Sequence, residues 1–455
     1  MYEKRRKVTL LTKKYRAGRK WLKLHPPQVL ALGFITLFIA GGFLLWLPVS
    51  TTRHISFLDA FFTATSASTI TGLNVVDIGS TYTLFGQIVI MCLIQIGGLG
   101  FMTFAVFTVM ILGRKIGLRQ RLLIQEALNQ PNVGGIVRLV KVLIIFSLFI
   151  ELAATVLLSM DWVPKFGLLK GFYYSLFHVV SAFNNAGFSL WPNSLSDYVG
   201  DPVVNIIITV LITTGGLGFI VLVDIWYSKQ FRDLTLHSKL MITGTLVISV
   251  ISMLFFFLFE YGNPGTIGGL SLTDKLIASY FQGVSPRTAG FNTIDFSHIH
   301  EGTALIIMLQ MFIGAGSGST GSGIKVTTFL VILLAVMSFI RGKDQTVVFN
   351  RSIKSSTIMR SIAIVVISLT TVFVAVLILT VTEHASFFTV LFEAVSAFGT
   401  AGVTMGLTDH LSTAGRFIII FLMFLGRVGP LTLAFSLSAP KKSNIRFPSG
   451  DVFTG

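Results

Sequence analysis

The chain has 455 residues, of which 53% are hydrophobic and only 12% are charged, whereas soluble domains carry roughly twice that charged fraction. This composition excludes an ordinary soluble domain and indicates a protein embedded in a lipid bilayer. The net charge of +16 is a feature that nucleic-acid-binding proteins share, but its distribution along the chain argues against nucleic acid as a partner.

Eight apolar runs have the length of membrane-crossing helices, which need roughly 20 residues. In chain order they are residues 29–47, 87–112, 140–160, 203–227, 239–259, 304–340, 361–381 and 415–438. An even number of crossings places both termini on one side, and the segments on that side hold 27 of the 35 Lys and Arg residues. The positive-inside rule therefore predicts a multi-pass protein of the cell (plasma) membrane with both termini cytoplasmic. The basic excess favours contact with membrane lipid headgroups.

Four short strings between paired crossings share a serine-to-glycine pattern: SASTITG (66–72), SAFNNAG (181–187), SPRTAG (285–290) and SAFGTAG (396–402). The third string is one residue shorter than the others. Four residues before each serine stands a phenylalanine, at Phe62, Phe177, Phe281 and Phe392. This spacing predicts that a short helix of about 10 to 13 residues, too short to cross the membrane, leads into each string.

These features predict an all-α integral membrane protein with eight transmembrane helices. We expect four helix–pore loop–helix repeats around one pseudo-fourfold pore. The repeats are assigned to residues 29–112, 136–227, 239–340 and 361–438, with a basic cytoplasmic N-terminal arm (1–28) and a cytoplasmic C-terminal tail (439–455).

The repeated strings have the properties of a cation filter. Non-helical backbone lies at membrane depth only where protein buries it or water lines it, so four such loops must face one another. Their carbonyl oxygens can then replace the hydration shell of a cation, and the negative ends of the short helices favour that sign of charge. Glycine suits this backbone because it has no Cβ. The predicted filter comprises Gly72, Gly187, Gly290 and Gly402, with the flanking residues Ile70, Thr71, Asn185, Ala186, Thr288, Ala289, Thr400 and Ala401.

Other residues carry weaker signals. Acidic residues on the outer side would concentrate cations at the pore mouth, and they include Asp77, Asp197, Asp201, Asp295 and Asp409. The glycine pairs Gly97, Gly98, Gly215 and Gly216 are predicted to pack helices closely. Arg287, in the third string, is expected at the outer face rather than on the pore axis. The sole cysteine, Cys92, is expected to be a buried structural thiol.

The sixth and eighth crossings each contain an unusual feature. Residues 314–323, GAGSGSTGSG, hold five glycines and three serines, so we predict that the helix unwinds there. A GxGxxG pattern falls within this segment, but no strand precedes it, which excludes a dinucleotide site. Arg427 lies within the eighth crossing, where a charge usually faces a cavity or a partner. It therefore either acts in the ion pathway or forms an ion pair with Glu151.

Over its full length the chain resembles the membrane subunit of the Ktr/Trk/HKT superfamily of potassium transporters, and most closely the Ktr branch. The resemblance rests on the four strings, on GAGSGSTGSGIK and LGRVGP, and on the tail NIRFPSGDVFTG. In that family one glycine per repeat lines the filter, which corresponds to the four filter glycines predicted above. A serine at the first of these accompanies sodium selectivity in plant relatives, so Gly72 favours potassium.

The resemblance implies gated potassium uptake. The loop that contains Gly314, Gly316, Gly318, Gly321 and Gly323 would be an intramembrane gate beneath the filter, with Arg427 beside it as a barrier to cations. It also implies a homodimer, in which each protomer has its own pore, and a cytosolic ring of nucleotide-binding regulatory subunits. Potassium would be the transported ion, with a sodium ion considered as an activator.

Three alternative functions fit parts of this pattern. The first is a sodium or nonselective cation transporter of the same fold. The second, a secondary transporter of organic solutes, is disfavoured because such folds commonly use inverted repeats of several crossings. The third, an enzyme, is disfavoured because the histidines lack the spacing of metal ligands or of a catalytic triad, so no catalytic residue or bound cofactor is expected.

Overall fold

The computed structural model describes residues 26–100 and 136–432. The predicted C-terminal tail and nearly all of the predicted N-terminal arm lie outside the described residues. The side of the membrane on which the termini lie therefore stays a prediction. The ends of the first and fourth predicted repeats, residues 101–112 and 433–438, also lie outside it.

The described part of the chain is mainly helical. Its α-helices are α1 (Pro26–Trp46), α2 (Phe57–Ser68), α3 (Ile78–Thr81), α4 (Leu84–Leu99), α5 (Ile136–Phe166), α6 (Leu168–Phe183), α7 (Pro202–Leu217), α8 (Phe219–Tyr227), α9 (Leu236–Glu260), α10 (Leu272–Val284), α11 (Glu301–Phe312), α12 (Val326–Ile340), α13 (Ser355–Thr382), α14 (Phe387–Gly399) and α15 (Thr413–Val428). Short 3₁₀ helices cover Pro48–Ser50, Ser196–Tyr198, Phe231–Asp233, Ser285–Arg287, Phe296–His298 and Thr408–His410. The strands β1 (Val347–Val348) and β2 (Arg351–Ser352) form an antiparallel hairpin between α12 and α13.

Four of the described helices are long and apolar enough to cross a membrane: α1, α5, α9 and α13. The number becomes five if α7 and α8, which are bent by 95° at a short break, are taken as one span. The long helices expose large apolar side chains such as Phe149 (70% exposed) and Phe373 (67% exposed), as expected of surfaces that lipid covers. The fold is thus an all-α membrane architecture, and the eight crossings in four repeats remain a prediction.

Several helices end at a glycine with left-handed backbone. Gly100 ends α4, Gly218 ends α7 and Gly429 ends α15, with φ of 85°, 98° and 91°. L side chains rarely adopt this conformation and an α-helix cannot continue through it. Gly218 therefore divides the apolar run 203–227, predicted as one crossing, into α7 and α8, and whether the bent pair crosses as one span stays a prediction.

The sixth predicted crossing is interrupted as expected. α11 ends at Phe312 and α12 begins at Val326. The predicted unwinding of residues 314–323 is confirmed.

Four short helices, α2, α6, α10 and α14, lead into the serine-to-glycine strings. They contain 12, 16, 13 and 13 residues, which is too short to cross the hydrocarbon core. Three of them follow an N-cap serine whose hydroxyl accepts a hydrogen bond from the backbone N–H three residues later, at Ser56, Ser271 and Ser386. Their phenylalanines anchor them in the core, since Phe62, Phe177, Phe281 and Phe392 are each at most 1% exposed.

The predicted packing role of the glycine pairs is confirmed at two close approaches. A Cβ on Gly97 would overlap the carbonyl oxygen of Ser68, and a Cβ on Gly215 would overlap that of Phe183. Ser68 and Phe183 are the last residues of α2 and α6. At these two places α4 and α7 therefore pack directly against the ends of the short helices α2 and α6.

The prediction for Cys92 is wrong. Its side chain is exposed on α4, whereas the buried residues of that helix, among them Gly86, Ile90 and Gly97, lie on another face.

The carboxylate of Glu260 organises the C-terminal end of α9. It is fully buried and accepts hydrogen bonds from Asn263 Nδ2 (2.6 Å), Thr266 Oγ1 (2.8 Å), the His300 backbone N–H (2.9 Å) and Thr303 Oγ1.

We expect Glu260→Ala to lower the stability in detergent by about 3 kcal/mol or more, because several buried donors lose their acceptor. Glu301→Ala, an exposed carboxylate in the first turn of α11, is the control for a thermal-unfolding measurement. Equal melting temperatures for the two variants would contradict this account.

Candidate functional site

The four serine-to-glycine strings make nearly the same turn. In each, the carbonyl oxygen of the serine accepts a hydrogen bond from the backbone N–H of the residue before the glycine. The lengths are 2.8 Å from Thr71 to Ser66, 2.8 Å from Ala186 to Ser181, 2.9 Å from Ala289 to Ser285 and 2.9 Å from Ala401 to Ser396. In strings one, two and four, the residue two before the glycine is left-handed, with φ of 55° at Ile70, 58° at Asn185 and 49° at Thr400.

The third string reaches the same turn with one residue fewer. Ser285–Arg287 forms a 3₁₀ helix, and Thr288 is extended in φ, at −160°, rather than left-handed. The Ser285 hydroxyl donates a hydrogen bond of 2.5 Å to the carbonyl oxygen of Phe291, beyond the glycine. A tighter helical turn thus takes the place of the missing residue.

The four predicted filter glycines form a closed ring. A Cβ added to each glycine would lie close to the Cα of the next glycine in the ring. The distances are 3.3 Å from Gly72 to Gly187, 2.9 Å from Gly187 to Gly290, 3.1 Å from Gly290 to Gly402 and 3.1 Å from Gly402 to Gly72. All four have positive φ, between 69° and 90°. A side chain at any of them would be strained and would enter its neighbour's backbone.

Carbonyl oxygens line this ring. A Cβ on each glycine would also contact the carbonyl oxygen of the residue before the next glycine, which belongs in turn to Ala186, Ala289, Ala401 and Thr71. Within residues 26–100 and 136–432, none of these four oxygens accepts a backbone hydrogen bond. All eight predicted flanking residues are fully buried. Carbonyl oxygens in such an arrangement can coordinate a cation, and the C-terminal ends of the short helices, which carry partial negative charge, lie just before the ring.

The unwound segment of residues 313–325 packs against α7. The Gly316 N–H donates to the carbonyl oxygen of Gly216 (2.8 Å), and the Thr320 N–H donates to that of Gly215 (3.2 Å). In return, the Phe219 N–H donates to the carbonyl oxygen of Gly318 (3.0 Å). The loop is thus held by backbone hydrogen bonds at the point where α7 ends.

The loop also touches the strings themselves. The Thr320 hydroxyl donates to the carbonyl oxygen of Phe183 (3.2 Å) and lies 3.3 Å from the Asn185 amide. The same amide lies 2.6 Å from Thr288 Oγ1, and a Cβ on Gly321 would lie 3.1 Å from the Thr288 methyl carbon. Asn185 therefore joins strings two and three to the loop. Sequence reasoning considered its carbonyl but missed the role of its side chain and of Thr320.

Arg427 lies at the end of α15 and binds both the loop and α4. Its Nη1 donates to the carbonyl oxygen of Thr320 (2.5 Å) and to Ser322 Oγ (3.2 Å), and its Nη2 donates to the carbonyl oxygens of Gly97 and Gly98. These partners are neutral, so the guanidinium charge is not neutralised by any of them.

The alternative ion pair with Glu151 does not form. The Glu151 carboxylate instead accepts hydrogen bonds from Gln95 Nε2 (3.0 and 3.1 Å) and Asn184 Nδ2 (3.3 Å).

A cavity of about 220 Å³ opens beside Arg427, and its lining includes Gly321, Gly323 and Lys325.

Arg287 was expected at the outer face, and that prediction is wrong. Its side chain is 1% exposed, and its Nη2 lies 3.6 Å from the position of a Cβ on Gly216. Among the described residues no hydrogen-bond acceptor contacts its three nitrogens. The 3₁₀ turn of the shorter string directs this side chain into the protein rather than toward solvent.

Three of the predicted outer acidic residues cap helices. Asp77 accepts the Ser80 N–H (2.8 Å), Asp201 accepts the Val203 N–H (3.0 Å), and Asp295 accepts the Ser297 N–H (2.9 Å). A capping role does not prevent a carboxylate from attracting cations, so the two roles are compatible.

A loop-lined ring of backbone oxygens in an all-α membrane fold is an arrangement suited to moving a cation. The chain belongs to the TrkH family of cation transport proteins, whose family model matches residues 29–446. This is a family of transporters rather than of enzymes, and the resemblance to the Ktr/Trk/HKT superfamily is confirmed.

Individual relatives agree with this assignment. The chain is 58% identical over 436 residues to the Ktr system potassium uptake protein B of Bacillus subtilis (strain 168), which covers 96% of this chain and 98% of that protein. It is 35% identical over 457 residues to the potassium/sodium uptake protein NtpJ of Enterococcus hirae, which covers 98% of this chain and 100% of that protein. The fold is also similar to the crystal structure of the potassium transporter TrkH from Vibrio parahaemolyticus, with a TM-score of 0.73 and 22% sequence identity. The match covers 92% of this chain and 86% of that chain, and it supports the fold.

Proposed function

We propose that this protein takes up potassium across the cell membrane and that the ion passes through the ring of Gly72, Gly187, Gly290 and Gly402. The main support is the closed contact of these four glycines through backbone that exposes carbonyl oxygens. Such oxygens can replace the water around a potassium ion. The name of the Bacillus subtilis relative, a potassium uptake protein, agrees with this choice of ion.

In this proposal the chain crosses the membrane eight times, in four repeats that each contribute one string. The helix breaks at Gly100, Gly218 and Gly429, which fall at matching places in three repeats, support the fourfold relation. Both termini are cytoplasmic. The inside-negative potential then drives entry with about 2.3 kcal/mol per charge per 100 mV.

The loop of residues 313–325, with Arg427, is proposed to be the gate. Its contacts with Asn185 and Thr288 put it against the strings, and the Arg427 guanidinium adds an unneutralised positive charge beside the cavity. A cation that leaves the ring would meet both. A shift of the loop away from Gly215 and Gly216 would open the path.

We further propose that the protein acts as a homodimer under the control of a cytosolic ring of nucleotide-binding regulatory subunits. The relative's description as part of a Ktr system is consistent with a multi-subunit assembly. The segment 341–360, which carries five basic residues and the β1–β2 hairpin, offers a cytoplasmic surface to such a partner. A sodium ion is retained as a candidate activator.

The second candidate function is transport of sodium or of cations without selectivity. It is favoured by one observation, the potassium/sodium uptake activity in the name of the Enterococcus hirae relative. The fold is shared by both functions, so only transport measurements separate them.

Radioactive rubidium uptake into liposomes with an inside-negative potential tests the function. We expect purified protein to take up rubidium, and potassium to compete at least about tenfold better than sodium, a difference of about 1.4 kcal/mol. Protein-free liposomes are the control. Equal competition by sodium and potassium would support the second candidate, and the absence of rubidium uptake would contradict both.

A further inference from the structure

A buried polar side chain follows the phenylalanine of each short helix. These four equivalent residues are Thr63, His178, Gln282 and Glu393. All are at most 1% exposed. A polar group in such a place needs a partner, because burying it without a hydrogen bond costs free energy.

In three repeats the partner is a hydroxyl eleven residues further along the chain. His178 Nε2 lies 3.1 Å from Ser189 Oγ. Gln282 Nε2 donates to Thr293 Oγ1 (3.2 Å), and Thr404 Oγ1 donates to Glu393 Oε2 (2.7 Å). Each pair therefore ties the chain leaving the ring to the short helix that leads into it.

The eleven-residue spacing is kept although the third string is shorter. Ser189 and Thr404 stand two residues after the ring glycine, whereas Thr293 stands three residues after it. The contact between the short helix and the outgoing segment is thus preserved while the residue missing before the glycine is restored after it. This compensation indicates that the pair, rather than the loop length, is the maintained feature.

The second and fourth pairs are reinforced. His178 Nε2 also accepts the Leu190 N–H (3.4 Å), and Trp191 stacks on the His178 ring at 4.3 Å between centroids. Glu393 has a second donor in Thr408 Oγ1, which is buried. The Thr404 hydroxyl in addition accepts the Gly406 N–H (3.1 Å).

The first repeat lacks the equivalent bond. The Thr63 hydroxyl donates to the carbonyl oxygen of Asp59 in its own helix (2.9 Å), and Asn74, eleven residues after Thr63, has no partner for its Oδ1 among the described residues. Among the described residues, the first repeat therefore lacks this tie between the short helix and the outgoing segment.

We propose that the pairs His178–Ser189, Gln282–Thr293 and Glu393–Thr404 are positioning residues that hold the ring of glycines at the width that selects among monovalent cations. The inference rests on the proposed function of the ring. These side chains lie outside the ring, and they restrain backbone two or three residues from its glycines. Linked buried hydrogen bonds stiffen such a backbone, and carbonyl sites discriminate between cations through their size and rigidity.

The fourth pair gives the sharpest test. Thr404→Val keeps the side-chain shape, removes the hydroxyl and leaves Glu393 Oε2 without this donor. We expect the preference for rubidium over sodium in liposome flux to fall about tenfold, the factor that corresponds to a lost hydrogen bond of this kind. Thr404→Ser retains the hydroxyl and should restore the wild-type ratio. Glu393→Gln should lie between them, because Gln282 and Thr293 already form such a pair in the third repeat.

Thr380→Val is the matched control, since its exposed hydroxyl bonds only the carbonyl oxygen of Leu377 in its own helix (2.8 Å). If Thr404→Val does not yield folded protein, the comparison of Thr293→Val with Thr293→Ser carries the same test in the third repeat. A wild-type rubidium-to-sodium ratio in folded Thr404→Val or Thr293→Val would overturn the inference. Wild-type protein that does not prefer rubidium would instead overturn the proposed function, so the two failures are distinct.

Discussion

Gly290→Ala is expected to reduce rubidium uptake about 10- to 100-fold, since left-handed backbone costs a non-glycine residue about 1–3 kcal/mol and each 1.36 kcal/mol is worth a factor of ten in rate. Gly290 has φ of +74°, and its new methyl group would lie 2.7 Å from the Ala401 carbonyl oxygen and 3.3 Å from the Cα of Gly187. The substitution would therefore both strain the third string and push apart two neighbours in the ring. The measurement is initial uptake in liposomes at equal protein incorporation.

Gly269→Ala is the matched control for this substitution. It lies in the same repeat, is exposed, and has no heavy atom within 4 Å of its added Cβ. We expect wild-type uptake from it. Gly290→Ala protein that is monodisperse in detergent and transports at the control rate would refute the assignment of the ring as the ion path.

Arg427→Gln should have the opposite effect on rate, because it removes a positive charge from the proposed gate and retains a side-chain donor for the Thr320 carbonyl oxygen. A unit charge acts on a cation at about 8 Å with roughly 2 kcal/mol at an effective dielectric constant of about 20, which corresponds to about thirtyfold in rate. We expect faster rubidium uptake, up to that factor. The preference for rubidium over sodium should stay unchanged, since the ring is intact.

Two further variants separate charge from geometry at this position. Arg427→Lys keeps the charge but cannot reach the Thr320 and Gly97 carbonyl oxygens together, so we expect a rate nearer to wild type than that of Arg427→Gln. Arg232→Gln, an exposed charge between α8 and α9, controls for a general loss of basic residues. Uptake by Arg427→Gln that matches Arg232→Gln would exclude a barrier role for the arginine.

Much of the candidate site was predictable because its signals are local in the chain. The serine-to-glycine strings recur four times, and a glycine with positive φ does stand at the end of each. The glycine- and serine-rich segment 314–323 unwinds because its own composition disfavours a helix. Backbone preferences of this kind act between neighbouring residues, so they can be inferred from the sequence alone.

Other features escaped prediction for an equally physical reason. The hydropathy of residues 203–227 is continuous, so nothing in it reveals that Gly218 bends the helix by 95°. Arg287 was expected at the outer face rather than on the pore axis, yet its side chain is buried beside the 3₁₀ turn of the shorter string. A single dihedral angle or one missing residue can redirect a segment without changing its composition.

The sequence alone indicates a membrane protein. It also yields the fourfold repetition as a hypothesis and identifies the glycines that could form a ring. Which groups contact one another depends on how separate helices pack. Arg427 could have paired with Glu151, but α15 places it against the carbonyl oxygens of α4 and of the loop. The Glu151 carboxylate instead accepts hydrogen bonds from Gln95 and Asn184. Contacts between residues more than 100 positions apart, such as Asn185 with Thr288, arise from this packing. No short-range pattern encodes them, because they depend on the relative placement of helices that are distant in the chain.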